Sequence, residues 1–266
     1  MIRLAVRVHR EQAELVLAAL LELAPGGVEE VDLGEVAEYA VYGAPGELPA
    51  LPELRAAAGG ALVEVATSEI ADDWSERWRE FHRPTVAGGV LTVRAPWHPR
   101  ADTPLEVVID PGGAFGTGSH ATTRLCLELL LSAPAKGAFL DLGCGSGVLA
   151  IAAARRGFAP VTALDNDTAA IEATQANAAT NGVDIDVRRF DLRTEPVPAA
   201  ATVAANLLAP LLLQWAGSVA QGTSRVIAGG VLVGEAEAVA AAFDADRLRE
   251  TARRDDGGWS ALLLER

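Results

Sequence analysis

The stretch FLDLGCGSGVLAIAAARRG, Phe139 to Gly157, constrains this chain more than any other. An apolar run of strand length, AFLDL, leads straight into glycines at 143, 145 and 147, and these lead into a small-residue run of helix length, VLAIAAARR. Glycine at alternate positions allows backbone angles closed to other residues and lets a ligand come close to the main chain. In an open parallel sheet that is where ligands bind, outside the carboxyl ends of the strands. A dinucleotide fingerprint needs Gly or Ala at position 148, where Val148 stands, and a nucleoside-triphosphate loop needs a Lys after the glycines, which is missing.

From Leu105 onward strands and helices alternate. AFLDL, VTALD, DVRRF, ATVAAN and RVIAGGVLV read as strands between Ala-rich helical stretches, with a further helix near Ala236 to Phe243. Repeated strand–helix units imply a parallel sheet covered on both faces. The closing run RLRETARRDDGGWSALLLE reads as strand, Gly-Gly turn and strand, so the last strand runs antiparallel. Residues 1–70 have a different pattern: LAVRVH as a strand, Glu11 to Ala24 as a helix, VEEVDL and AEYAVYG as strands, Pro52 to Ala58 as a helix, and ALVEVATSEI as a strand. That β-α-β-β-α-β order is ferredoxin-like. Residues 71–104 read as a connector, whose Trp74, Trp78 and Phe81 share one face of a short linker helix. The fold expected is α/β: a seven-stranded Rossmann-like domain over 105–266, preceded by a small α+β domain over 1–70.

The formal charge of −14 argues against nucleic-acid binding, which rests on clustered Lys and Arg, and suits a basic partner. Two cysteines, Cys126 and Cys144, are too few for a disulfide framework and fit a reducing compartment. The N-terminus turns charged before a signal-peptide core could form, and Pro198, Asn206, Pro210 and Gln214 interrupt the long uncharged run from Pro196 to Ser224. A cytoplasmic protein with no membrane contact is expected.

The acids around the glycines indicate the ligand. Asp141 precedes them inside the strand end, and Asp165 ends the next strand, 18 residues after Gly147, where a carboxylate can accept both hydroxyls of a ribose. A carboxylate beside a pyrophosphate would be repulsive, whereas beside a sulfonium and an ammonium it is favourable. The D-x-G-x-G-x-G pattern therefore points to S-adenosylmethionine, with Asp141, Gly143, Gly145 and Asp165 as cofactor-binding candidates. Asp191 is a candidate for the adenine amine or a plain loop acid, and Asp167 a helix cap.

After the fourth strand comes NLLAP, Asn206 to Pro210, where amine-modifying methyltransferases carry N-P-P-aromatic. The Asn206 side-chain oxygen and the Leu207 carbonyl can accept from an attacking nitrogen and aim its lone pair. The aromatic platform for stacking a nucleobase is missing. Upstream, DPGGAFGTGSHATT holds four glycines, with Phe115 and Thr117 as further cofactor contacts and Ser119 or Thr122 as the start of the next helix. His120 reads either as a base or as a structural hydrogen-bonding residue.

Together, DPGGAFGTGSHATTRLCL, DLGCGSGVLAIAAARRG, ANLLAPL and the upstream WSERWREFHRP resemble the bacterial ribosomal protein L11 methyltransferases, from about residue 70 to the C-terminus. The resemblance implies an N-terminal substrate-recognition domain, and a catalytic domain that methylates lysine and N-terminal amines of a large-subunit ribosomal protein. It places Thr123, Gly143, Asp165 and Asn206 at the methyl donor. Two other readings stay open: a lysine or small-amine methyltransferase with another target, and a noncatalytic docking module.

Overall fold

The computed structural model describes residues 2–24, 28–43, 48–69, 83–111, 118 and 120–266. The chain divides into two compact units, Met1–Phe81 and His82–Arg266.

In the first unit the elements run β1 (Ile2–His9), α1 (Ala13–Leu23), β2 (Glu29–Asp32), β3 (Val36–Gly43), α2 (Leu51–Ala58) and β4 (Leu62–Glu69). The strands pair antiparallel in the order β2-β3-β1-β4, the expected ferredoxin-like arrangement. Alternation along β1 sets the two faces. Leu4, Val6 and Val8 are buried in a core with Val16, Leu17 and Leu20 of α1 and Leu54 of α2. Arg3 and Arg7, on the opposite face, both pair with Glu38 of β3, at 2.5 and 2.6 Å.

The second unit begins with strands where the sequence suggests only a connector. β5 (Thr85–Ala87), β6 (Leu91–Arg94) and β7 (Leu105–Val108) form a three-stranded sheet, so this unit starts near residue 82 rather than 105. Gly88 and Gly89, both at positive φ, make the β5–β6 turn, and Arg94 pairs with Glu106 at 2.7 Å to join β6 to β7. Three- and four-residue strands are too short for a period of two to stand out. Trp74, Trp78 and Phe81 lie outside the described residues.

The main sheet comprises β8 (Phe139–Leu142), β9 (Val161–Asp165), β10 (Asp186–Arg189), β11 (Thr202–Asn206), β12 (Arg225–Leu232), β13 (Arg249–Asp256) and β14 (Trp259–Glu265), in the order β10-β9-β8-β11-β12-β14-β13. β10 through β12 run parallel, and β14 is antiparallel to both its neighbours. The helices are α3 (Ala121–Ser132), α4 (Val148–Arg156), α5 (Thr168–Asn181), α6 (Ala209–Trp215) and α7 (Ala236–Phe243). Leu140 and Leu142 of β8 join a buried cluster with Trp215 and Phe243, whose rings meet edge to face at 5.5 Å. Asp141 points to the other face, toward α4. Strands are added on one side of β8 as β9 and β10, and on the other as β11 and β12. The switch point therefore lies between β8 and β11, with the glycine loop at its carboxyl end. Among the described residues, no helix is long and apolar enough to cross a membrane.

Candidate active site

Gly143, Gly145 and Gly147 all have positive φ, at 77°, 52° and 82°. The loop is also confined on two sides. A Cβ on Gly143 would lie 2.5 Å from Leu207 Cδ2, and one on Gly147 would lie 2.8 Å from Thr174 Cγ2. Polar side chains of α5 clamp it from beneath: Thr174 Oγ1 donates to the Gly145 carbonyl and Asn177 Nδ2 to the Ser146 carbonyl, each at 2.9 Å. Asn177 Oδ1 accepts from Asp110 N, and Asn181 Oδ1 from Val108 N, both at 2.9 Å, so the same helix holds the strand end leading toward residues 112–117. Sequence reasoning missed Thr174, Asn177 and Asn181. Their signal is a polar stripe at i, i+3 and i+7, on a face that proves to be buried.

The two acids stand on either side of this loop. Asp141 is 1% exposed; its Oδ2 accepts from Ala150 N at 3.0 Å, which satisfies a first-turn amide of α4 that the N-cap Gly147 has no side chain to reach. Its Oδ1 is buried without a protein partner. Burial, opposed by the Ala150 bond and reinforced by the charge of Asp165, pushes the Asp141 carboxyl up to about 7. Asp165 accepts from Gly145 N at 2.9 Å through Oδ2 and from Asp167 N at 3.0 Å through Oδ1. Asp167 caps α5 as expected, through Ala169 N at 2.9 Å. Asp191 Oδ1 accepts from Arg193 N at 2.9 Å, the geometry of a local turn.

Asn206 ends β11. Its Nδ2 donates to Thr122 Oγ1 at 3.3 Å and Thr123 Oγ1 at 3.4 Å, while its Oδ1 is buried with no partner. A buried acceptor left unsatisfied costs about 1–3 kcal/mol, so the position is one that a bound donor would relieve. The following residues lie against a bulge in β12, which sequence reasoning took as plain strand. Register with β14 shifts between Ala228 and Val231. Leu207 N donates to the Gly229 carbonyl at 3.1 Å, and a Cβ on Gly230 (φ 74°) would lie 2.6 Å from the Leu207 carbonyl oxygen. The α3 start also differs from expectation. His120, rather than Ser119 or Thr122, is the N-cap, accepting from Thr122 N through Nδ1 at 3.3 Å.

Asp141, Gly143, Gly145, Asp165, Thr123, Asn206 and Leu207 thus converge at the switch point; Phe115, Thr117 and Ser119 lie outside the described residues. From Phe139 to Ala154 there is no Lys or Arg, while two carboxylates flank bared main chain. The two orphaned oxygens, Asp141 Oδ1 and Asn206 Oδ1, call for hydrogen-bond donors and positive charge. This set of acceptors fits a cationic, phosphate-free nucleoside, and with the β10-β9-β8-β11-β12-β14-β13 order of the main sheet it defines an S-adenosylmethionine-dependent methyltransferase.

Residues 49–266 match the family described as ribosomal protein L11 methyltransferase. Proteins of that name from Geobacter sulfurreducens and Pelotomaculum thermopropionicum are 37% and 34% identical, over 89% and 98% of this chain and 83% and 97% of theirs. The one from Symbiobacterium thermophilum is 36% identical over 80% of this chain and 72% of its own. The crystal structure of a ribosomal protein L11 methylase from Lactobacillus delbrueckii subsp. bulgaricus superposes with a TM-score of 0.61 at 26% identity, covering 69% of this chain and 98% of that one. The chain belongs to the ribosomal protein L11 methyltransferase family.

Proposed function

We propose that this protein methylates amino groups, on lysine side chains, the N-terminus or both, of a basic ribosomal protein, with ribosomal protein L11 named by the relatives as the substrate. The buried, unpartnered Asn206 Oδ1 is the observation that carries this reading: it is a pure acceptor at the end of β11, suited to the N–H of an amine.

S-adenosylmethionine supplies an electrophilic methyl group on a sulfonium when bound. Gly143 and Gly145 offer it main chain, Asp165 a carboxylate for its ribose, Asp141 negative charge, and Thr123 a hydroxyl. Asn206 Oδ1 and the Leu207 carbonyl orient the acceptor nitrogen. That nitrogen must first lose a proton. At pH 7 this costs about 4–5 kcal/mol for a lysine of pKa ~10.4, and about 1 for an N-terminal amine of pKa ~8. His120 is a poor base, because its Nδ1 is engaged by Thr122 N and burial lowers its pKa. Apolar side chains such as Leu207, next to a sulfonium, lower the amine pKa instead, so that the proton leaves to solvent before transfer. The first unit serves as the docking domain in this reading; it carries an apolar cleft of about 590 Å³ lined by Ile2, Leu4, Leu51, Leu54 and Val65. A net charge of −14 favours approach of a basic target.

The deciding experiment is mass spectrometry of ribosomal proteins from a strain lacking the gene, followed by incubation of those proteins with enzyme and labelled donor. Ribosomal protein L11 is expected to lose methyl mass in the strain and regain it in vitro. Label appearing only on another protein or a small amine would replace the substrate, and no label at all would end the proposal.

A further inference from the structure

A run of hydrogen bonds leads inward from the start of α3 to the end of β11. Its first member is the backbone N–H of Thr122, which donates to His120 Nδ1 at 3.3 Å. A main-chain amide can only donate, so Nδ1 carries a lone pair and the ring proton sits on Nε2. Thr122 Oγ1 lies 2.9 Å from the same Nδ1. Facing a lone pair, the hydroxyl must donate, and its own lone pairs are left for Asn206 Nδ2 at 3.3 Å. Thr123 Oγ1 takes the second proton of that amide at 3.4 Å. Both amide protons are then held by hydroxyls of α3, and Oδ1, next to Gly229 of β12, is left buried and without a protein partner.

The direction matters because a carboxamide can sit in either of two orientations related by a half turn, with nearly the same shape. One presents oxygen to the acceptor site. The other presents N–H, which would bind the lone pair that the amine needs for attack. We propose that His120 and Thr122 are positioning residues that fix the polarity of the Asn206 amide, so that its oxygen faces the acceptor amine. The proposal rests on the reading above that the acceptor is an amine. It gives His120 a role through its tautomer rather than as a base. The surroundings agree: Trp259 meets the imidazole edge to face at 5.4 Å, and burial disfavours the protonated ring.

Two measurements test this. The first needs no turnover. Nitrogen NMR of ligand-free protein carrying isotope-labelled histidine reports the tautomer of His120, assigned among the four histidines by loss of its signals in His120→Asn. The expected result is Nδ1 in the unprotonated range and Nε2 in the protonated range. A proton on Nδ1 would overturn the proposal, whether or not the protein methylates anything. The second compares Thr122→Val, which keeps the shape and loses the hydroxyl, with Thr122→Ser. Thr122→Val should lower kcat about tenfold or more at saturating donor, with donor Kd within about twofold of wild type, and Thr122→Ser should restore most of kcat. Unchanged kcat in Thr122→Val, or a loss that Thr122→Ser fails to rescue, would reduce Thr122 to packing. Wild-type protein that transfers no methyl group to any amine would end the proposed function instead, while the tautomer measurement still decides the polarity of the amide.

Discussion

Leu207 occupies the space into which a side chain on Gly143 would project: its Cδ2 lies 2.5 Å from where that Cβ would be. The glycine loop after β8 and the loop after β11 therefore meet, so a side chain at Gly143 is felt at Leu207. Gly143→Ala should disturb both. A left-handed φ of 77° costs a non-glycine residue roughly 1–2 kcal/mol, and the clash adds to it. Donor affinity is expected to fall at least about tenfold by calorimetry. Adding Leu207→Ala should recover the steric part and leave the backbone part, so the pair should be clearly non-additive in a double-mutant cycle.

Asn206→Ala separates binding from chemistry. On the proposed function, the substitution removes the acceptor that orients the nitrogen and leaves the main chain of the glycine loop untouched. Single-turnover rates are expected to drop roughly a hundredfold, with donor Kd changed by less than about threefold. Stability should change by no more than about 1 kcal/mol, because a buried unsatisfied oxygen leaves along with two hydrogen bonds. Equal losses in donor binding and rate would place Asn206 at the donor instead.

What the sequence revealed here follows from how local the chemistry is. The glycines and Asp141 and Asp165 sit within one strand–turn–helix unit and the strand after it, so their meaning could be read from spacing. The largely parallel sheet followed from the alternation itself, since each strand–helix–strand unit closes by a right-handed crossover. Thr174, Asn177 and Asn181 escaped notice because a polar stripe on a helix ordinarily faces water. Only the fold brings the carbonyls of Gly145 and Ser146 and the amides of Val108 and Asp110 beneath it. The Gly229–Gly230 bulge was hidden for a similar reason: inside an apolar run, two glycines mean little until Leu207, more than 20 residues earlier, is seen lying across them. His120 was missed as a cap because imidazole is an uncommon one.

The clamp on α5 makes its own prediction. Asn177→Ala would remove the Asn177 hydrogen bonds to the Ser146 carbonyl and the Asp110 amide and open a small void between α5 and the loop. A loss of about 2–4 kcal/mol is expected in urea denaturation. Donor saturation should recover part of it, since ligand binds the ordered loop.

Asp141 makes stability depend on pH. Its carboxyl is pushed from 3.8 to about 7 in the folded protein, chiefly by burial. The folded state therefore binds a proton more tightly than the unfolded chain does. The stability tied to that proton is fully present below about pH 3.8 and is lost as pH rises through about 7. Asp141→Asn, neutral at every pH, should lack this decline, so the difference between wild type and variant shrinks or reverses from pH 5 to pH 8 in denaturant titrations. Cationic donor favours the carboxylate, so its uptake by wild type should release protons near pH 7, seen as buffer-dependent heat in calorimetry, and Asp141→Asn should lose that dependence.

The β12 bulge can be tested apart from the donor loop. A Cβ on Gly230 would lie 2.6 Å from the Leu207 carbonyl oxygen and 2.9 Å from its carbon, with the backbone at φ 74°, where L-residues are strained. Both contacts are main chain, so no side-chain rotation relieves them. In Gly230→Ala the Leu207 carbonyl must shift, carrying Asn206 with it, while Gly145 and Asp165 keep their mutual hydrogen bond. Turnover is thus expected to fall more than tenfold. Donor affinity should stay closer to wild type than in Gly143→Ala. If Gly230→Ala instead loses donor binding as badly as Gly143→Ala while remaining folded by circular dichroism, the bulge supports the donor side of the site and Leu207 does not orient the acceptor.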